Sequence, residues 1–126
     1  MNRVFHRVNV ESYEVSVYIG GDFLIRDAES VAQSFCDRIG MCVSISKTRF
    51  VYTGGACSGV RVGFINYGRF PSTRGDIFRA AVELAEIMVC ELGQDSASVV
   101  ATDRTVWISR RAEDVNPPPS IGDRAH

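Results

Sequence analysis

Hydrophobic residues along this chain recur first with a period of two and then with a period near 3.6. Val15, Val17 and Ile19 alternate with Glu14, Ser16 and Tyr18, the pattern of a half-buried strand. Residues 3–10 alternate more weakly and predict an edge strand, which Glu11-Ser12 ends. Past the Gly20-Gly21-Asp22 turn and the apolar link Phe23-Leu24-Ile25, the period lengthens: Ala28, Val31, Ala32, Phe35, Cys36 and Ile39 form one helical stripe. Asp27 is placed to cap that helix, Glu29 suits its first turn, and Gly40 stands where a left-handed residue closes it.

Alternation returns with Met41, Val43 and Ile45 and slips near Lys47, where Arg49 would continue the apolar face while Phe50 and Tyr52 lie on the other phase. A bulge or a solvent-exposed strand end would produce that slip. Gly54-Gly55 turns the chain into a third strand over residues 60–67, whose pattern leaves open which face is buried. Thr73, with Asp76 three residues on, opens a second helix with the stripe Ile77, Phe78, Ala81, Leu84, Ala85, Met88 and Leu92. Gly93 ends it, and residues 97–109 read either as one strand or as a hairpin turning at Asp103-Arg104. The order strand, helix, strand, strand, helix, strand predicts an α+β fold of the ferredoxin-like βαββαβ kind, an antiparallel sheet with two helices on one face. Residues 1–111 would form this single domain, and residues 112–126, with Pro117-Pro118-Pro119, a disordered tail.

Composition refines this picture in three respects. A chain of 126 residues that is 45% hydrophobic can fill one core. No run is long and apolar enough to span a bilayer, and Met-Asn-Arg-Val-Phe-His does not read as a signal peptide, so a cytoplasmic location is expected. Cys36, Cys42, Cys57 and Cys90 make no Cys-x-x-Cys pair and have only His6 and His126 as metal-binding company, which predicts reduced, mostly buried thiols with Cys57 accessible.

Charge is distributed unevenly. Arg38, Lys47, Arg49, Arg61, Arg69 and Arg74 follow one another with no intervening acid, which leaves eight bases against 15 acids elsewhere. Only Lys47 among the 14 bases is a lysine; a GC-rich genome accounts for this more simply than selection for bidentate contacts. Phe50, Tyr52, Phe64, Tyr67 and Phe70 are interleaved with the bases. Arginine and aromatic residues are the types that most often dominate protein interfaces. The expected partner-binding set is therefore Arg49, Tyr52, Arg61, Tyr67, Arg69 and Phe70, facing a protein with an acidic surface.

Conventional catalytic patterns are missing from the sequence. Gly20-Gly21 and Gly54-Gly55 complete neither a dinucleotide nor a Walker motif. His6 and His126 provide no credible base for a serine nucleophile, and Glu83 with Glu86 has no histidine to share a metal, so no metal or cofactor site is expected. Val17-Tyr18-Ile19-Gly20-Gly21 resembles the RNP2 motif of RNA-recognition motifs, and Gly63-Phe64-Ile65-Asn66-Tyr67 is similar to the second half of RNP1. That resemblance implies that Tyr18 and Phe64 stack single-stranded RNA on an open sheet face. The first half departs, with Val60, Arg61 and Val62 where a base, a glycine and an aromatic belong. In size, topology and the stretches 67–72 and 105–109, the chain also loosely resembles bacterial toxin-immunity and phage anti-defence inhibitors, which implies a non-enzymatic protein that occludes a partner. This is the favoured expectation, with RNA binding the alternative. Oligomeric state is left open, with pairing through an edge strand as one route to a homodimer.

Overall fold

The computed structural model describes residues 3–111, so the proposed tail lies outside the described residues. Five strands and two helices follow in the order β1 (Glu14–Gly20), α1 (Ile25–Ile39), β2 (Ser44–Tyr52), β3 (Gly55–Ile65), α2 (Arg74–Glu91), β4 (Ser96–Ala101) and β5 (Thr105–Ser109). The strands form one antiparallel sheet with the order β2-β3-β1-β4-β5. The α+β class is thus as expected, and residues 97–109 resolve into a hairpin.

Alternation in β1 decides which face is covered. Val15, Val17 and Ile19 are at most 1% exposed and share one buried cluster with Val60, Val62 and Phe64 of β3 and Ala97 and Val99 of β4. Register explains this sharing: Val15 is opposite Phe64, Val17 opposite Val62 and Val99, and Ile19 opposite Val60. Onto that face α1 brings Ala28, Ala32 and Phe35, and α2 brings Ile77, Phe78, Ala81, Leu84, Ala85 and Met88. The small residues let the helices approach, and the large ones fill the space between.

The helix ends follow local chemistry. Thr73 Oγ1 accepts from the Asp76 amide at 3.1 Å, the cap its position predicts. Gly40, at φ 71°, donates its amide to the Cys36 carbonyl at 2.8 Å and closes α1. At the start of α1 the expectation fails: Leu24 occupies the cap position without a capping side chain, because the amides of Asp27 and Ala28 already bond its carbonyl. Asp27 lies instead in the first turn, where its charge favours the helix dipole.

Three other expectations need correction. Residues 3–10 form no strand, and Val4, Phe5 and Val8 are 73%, 80% and 69% exposed; the alternation is present, but no neighbouring strand accepts its hydrogen bonds. No bulge interrupts β2, since its ladder to β3 runs unbroken from Ser44 opposite Gly63 to Tyr52 opposite Gly55. Lys47 and Arg49 simply continue the helix-side face of the strand. The thiols are not mostly buried: Cys42 and Cys90 are exposed and Cys36 and Cys57 half-buried, all four free.

Gly59 marks a close approach between strands. A Cβ there would lie 2.2 Å from the Ile19 carbonyl oxygen and 2.6 Å from the Phe50 ring, so Gly59→Ala should destabilise the protein by about 1–3 kcal/mol or more. Phe64→Ala should cost about 3–5 kcal/mol, whereas Tyr52→Ala, on a side chain 57% exposed, should cost under about 1 kcal/mol. Chemical denaturation of the three variants checks the ordering; equal losses for Phe64 and Tyr52 would contradict the assignment of faces.

Candidate functional site

The sheet face away from the helices carries the other half of each alternation. Tyr18 and Ser16 of β1, Phe50 of β2, Cys57 and Arg61 of β3, Ser98 of β4 and Trp107 of β5 project there, as their pairing shows: Tyr18 is opposite Arg61 and Ser98, Phe50 opposite Cys57, and Ser98 opposite Trp107. Tyr18 and Phe50 meet edge to face at 6.4 Å, and with Tyr52, Cys57, Ser98 and Trp107 they line a shallow cleft of about 400 Å³.

Tyr18 and Phe64 are not a stacking pair. Phe64 is 1% exposed and packed beneath the helices, while Tyr18 is on the opposite face. The two positions differ in strand parity, since the residue facing Tyr18 across β3 is Arg61 and that facing Phe64 is Val15.

Nor do the six basic and aromatic candidates form one patch. Tyr52 is at the β2–β3 tip, whereas Tyr67, Arg69 and Phe70 follow the far end of β3, eleven residues and roughly 33 Å away along the strand. Arg49 lies on the helix-side face, its Nη1 donating to Ser58 Oγ at 3.0 Å, and Arg61 lies on the open face near Gly63. Tyr67 and Phe70 stack with each other, at 5.3 Å. The acids that the segment lacks come from other elements of the same chain. Arg38 pairs with Glu83 at 3.0 Å, and Arg74 pairs with Glu11 and Asp103. Asp103 in turn accepts from the Tyr13 hydroxyl at 2.9 Å. Part of the local charge imbalance is therefore balanced by tertiary contacts.

A second cleft, of about 500 Å³, opens on the helix side at the end of the sheet where β1 passes into α1. Phe23, Leu24, Ile25 and Val60 form its apolar walls, Thr48 and Ser58 contribute hydroxyls, and Lys47 and Arg26 supply positive charge. Among the described residues, no Asp or Glu lines it, although Asp27 approaches Arg26 at 4.0 Å. Its volume falls in the range of small-molecule sites, and its chemistry is that of a receptor for an apolar body carrying an anionic group. Among the described residues, no three His, Cys, Asp or Glu side chains are grouped to hold a metal. Sequence reading missed this site because Phe23-Leu24-Ile25 reads as a link between elements. The one available signal was the chain's single lysine, which follows Val43 and Ile45 on the same strand face.

The sequence matches no family model and no curated protein. The fold, however, is shared with solved structures of a phage SAM lyase. The apo lyase superposes with a TM-score of 0.73 at 16% identity, covering 86% of this chain and 98% of that one. The lyase in complex with S-methyl-5'-thioadenosine gives 0.70 at 17% identity, covering 85% and 96%. These neighbours correct the expectation of a non-enzymatic inhibitor or immunity-type protein: the solved chains that share this architecture are enzymes. They give no support to an RNA-recognition reading either. Among the described residues, no helix is long and apolar enough to cross a membrane.

Beside the far end of β3, a hydrogen bond between Tyr67 and Cys42, reinforced by burial, pushes the Tyr67 phenol up from 10.0 to about 12. Burial likewise raises the Cys36 thiol. Because the unfolded phenol ionises near 10 and the folded one near 12, the stability this contact contributes is complete below pH 10 and lost as pH rises through that window. Thermal unfolding of Tyr67→Phe should show a shallower alkaline decline than wild type; an unchanged decline would remove Tyr67 as its source.

Proposed function

We propose that this protein is an enzyme that cleaves S-adenosylmethionine to S-methyl-5'-thioadenosine, and that the cleft formed by Phe23, Leu24, Ile25, Lys47, Ser58 and Val60 binds the substrate. The observation that carries the reading is the near-complete overlap, at a TM-score of 0.73, with a phage SAM lyase, a chain also solved with S-methyl-5'-thioadenosine. In support, the cleft has apolar walls suited to the thioadenosyl part and cations suited to a carboxylate.

The chemistry requires little from the protein. Thioadenosine retains the methyl and adenosyl groups, so the bond that breaks joins sulfur to the γ-carbon of the methionyl chain, and its electron pair goes to the sulfonium. The γ-carbon takes a new pair from the substrate's own carboxylate, closing a five-membered lactone with no water consumed and no proton moved by a base. A cleft without a lining carboxylate or histidine is compatible with such a step. Its positive charge disfavours the sulfonium but not the neutral thioether, so it acts on the difference between ground and transition states. Lys47 also orients the carboxylate, which matters because a misplaced nucleophile forfeits the advantage of intramolecularity.

The same reading extends to the architecture. The order β2-β3-β1-β4 supports a ferredoxin-like arrangement to which β5 adds an edge strand. Phage origin also fits this reading.

Purified protein incubated with S-adenosylmethionine should release S-methyl-5'-thioadenosine, followed by mass spectrometry. Lys47→Ala should lower kcat/KM by roughly 10- to 100-fold, the loss of about 1.4–2.7 kcal/mol of transition-state stabilisation, with an unchanged melting temperature. No thioadenosine at enzyme concentrations equal to substrate would overturn the assignment.

A further inference from the structure

We propose that Arg49, from outside the lining of the substrate cleft, is a positioning residue for Ser58, and that the Ser58 hydroxyl donates to the substrate's carboxylate beside Lys47. The inference rests on the cleft assigned above and adds to it the donor that selects a ligand carrying an amino-acid chain.

Chemistry forces the roles at this pair. A guanidinium has donors and no acceptor, whereas a serine hydroxyl has one donor and two lone pairs. The bond from Arg49 Nη1 to Ser58 Oγ at 3.0 Å therefore occupies a lone pair and leaves the hydroxyl hydrogen to be given elsewhere. Among the described residues, no acceptor is bonded to that hydrogen. The neighbouring cation also polarises the oxygen, which makes the O–H a stronger donor. Without the guanidinium, the exposed serine would distribute itself over its three staggered rotamers.

The ladder brings this donor to Lys47. Arg49 faces Ser58 across β2 and β3, and Lys47 faces Val60. Lys47 and Ser58 are thus diagonal neighbours on the helix-side face, roughly 7–8 Å apart at the backbone, and both line the cleft. One carboxylate oxygen can accept from the Lys47 ammonium and the other from the Ser58 hydroxyl. The main chain of Ser58 is fixed as well, because its carbonyl accepts from the Gly21 amide at 2.9 Å. Gly21 leads within two residues to Phe23 and Leu24, the apolar wall. Ser58 therefore joins the anion-binding end of the cleft to the end suited to the thioadenosyl group, and Arg49 sets the direction of its hydroxyl.

Two uncleavable thioethers separate this role from a structural one. S-adenosylhomocysteine retains the amino-acid chain, and S-methyl-5'-thioadenosine lacks it. Calorimetric titration of the full chain should show Ser58→Ala and Arg49→Met each weakening S-adenosylhomocysteine roughly tenfold or more. Binding of S-methyl-5'-thioadenosine should change less than about twofold, since it offers the hydroxyl no carboxylate. Ser58→Thr, which keeps the hydroxyl, should retain most of the affinity. In the Ser58→Ala background, Arg49→Met should add nothing, because its effect passes through the missing oxygen. Additive losses would make Arg49 a direct or long-range charge contact and overturn the proposal. Equal weakening of both ligands, or of neither, would also overturn it while leaving the cleft assignment intact. A wild-type chain that binds neither thioether overturns the cleft assignment and this inference together. Unchanged melting temperatures exclude misfolding as the source of a loss.

Discussion

The burial of β1 is the constraint on which the rest of the molecule depends. It is hydrogen-bonded along both edges and covered by helices on one face, and Val15, Val17 and Ile19 are almost completely removed from water there. A strand so placed has a fixed register, because a slip of one residue would turn three apolar side chains to the open face and expose them. With β1 fixed, Val62 and Val99 must lie opposite Val17, which aligns β3 and β4, and α2 can then cover both. The opposite face receives Ser16 and Tyr18 by the same rule.

The two faces consequently differ in use. The covered face closes over the core, and at the sheet end, where β1 leaves and α1 has not yet begun to pack, it opens into the apolar, positively charged cleft. The other face is broad, with Tyr18 and Phe50 in edge-to-face contact and Ser98 between Tyr18 and Trp107. Tertiary ion pairs and cation–π contacts link peripheral segments to this frame. Arg74 lies over Tyr13 at 5.3 Å while contacting Glu11 and Asp103, and Arg104 lies over Phe78 at 3.7 Å. Each exposed pair contributes little alone, but together they join the segment before β1, α2 and the β4–β5 turn.

The activity proposed for this cleft leaves no signature in the sequence, for a chemical reason. Searches for a nucleophile, a general base or a metal set look for groups that the reaction must borrow from the protein. A sulfonium substrate brings its own leaving group and its own nucleophile, so a cleft that binds, orients and repels positive charge is sufficient. Such a cleft is made of ordinary residues, Phe23, Leu24, Ile25, Lys47 and Val60, drawn from one loop, the start of α1 and two strands.

By itself the sequence determined the elements with strong periodicity and local closure: the β1 alternation, the apolar stripes of both helices, the Thr73 cap and the Gly40 and Gly93 ends. These depend on neighbours within a few residues, so their causes lie along the chain. Only the tertiary structure decided which face of β3 is buried, because Val60, Val62 and Phe64 and their neighbours Arg61, Gly63 and Ile65 offer alternation on both phases, and the choice came from β1 across the ladder. It also denied residues 3–10 a ladder, since a strand exists only where another accepts its hydrogen bonds. And it scattered the basic and aromatic residues that run together in sequence, because an extended strand carries successive side chains to opposite faces and residues at its two ends far apart in space.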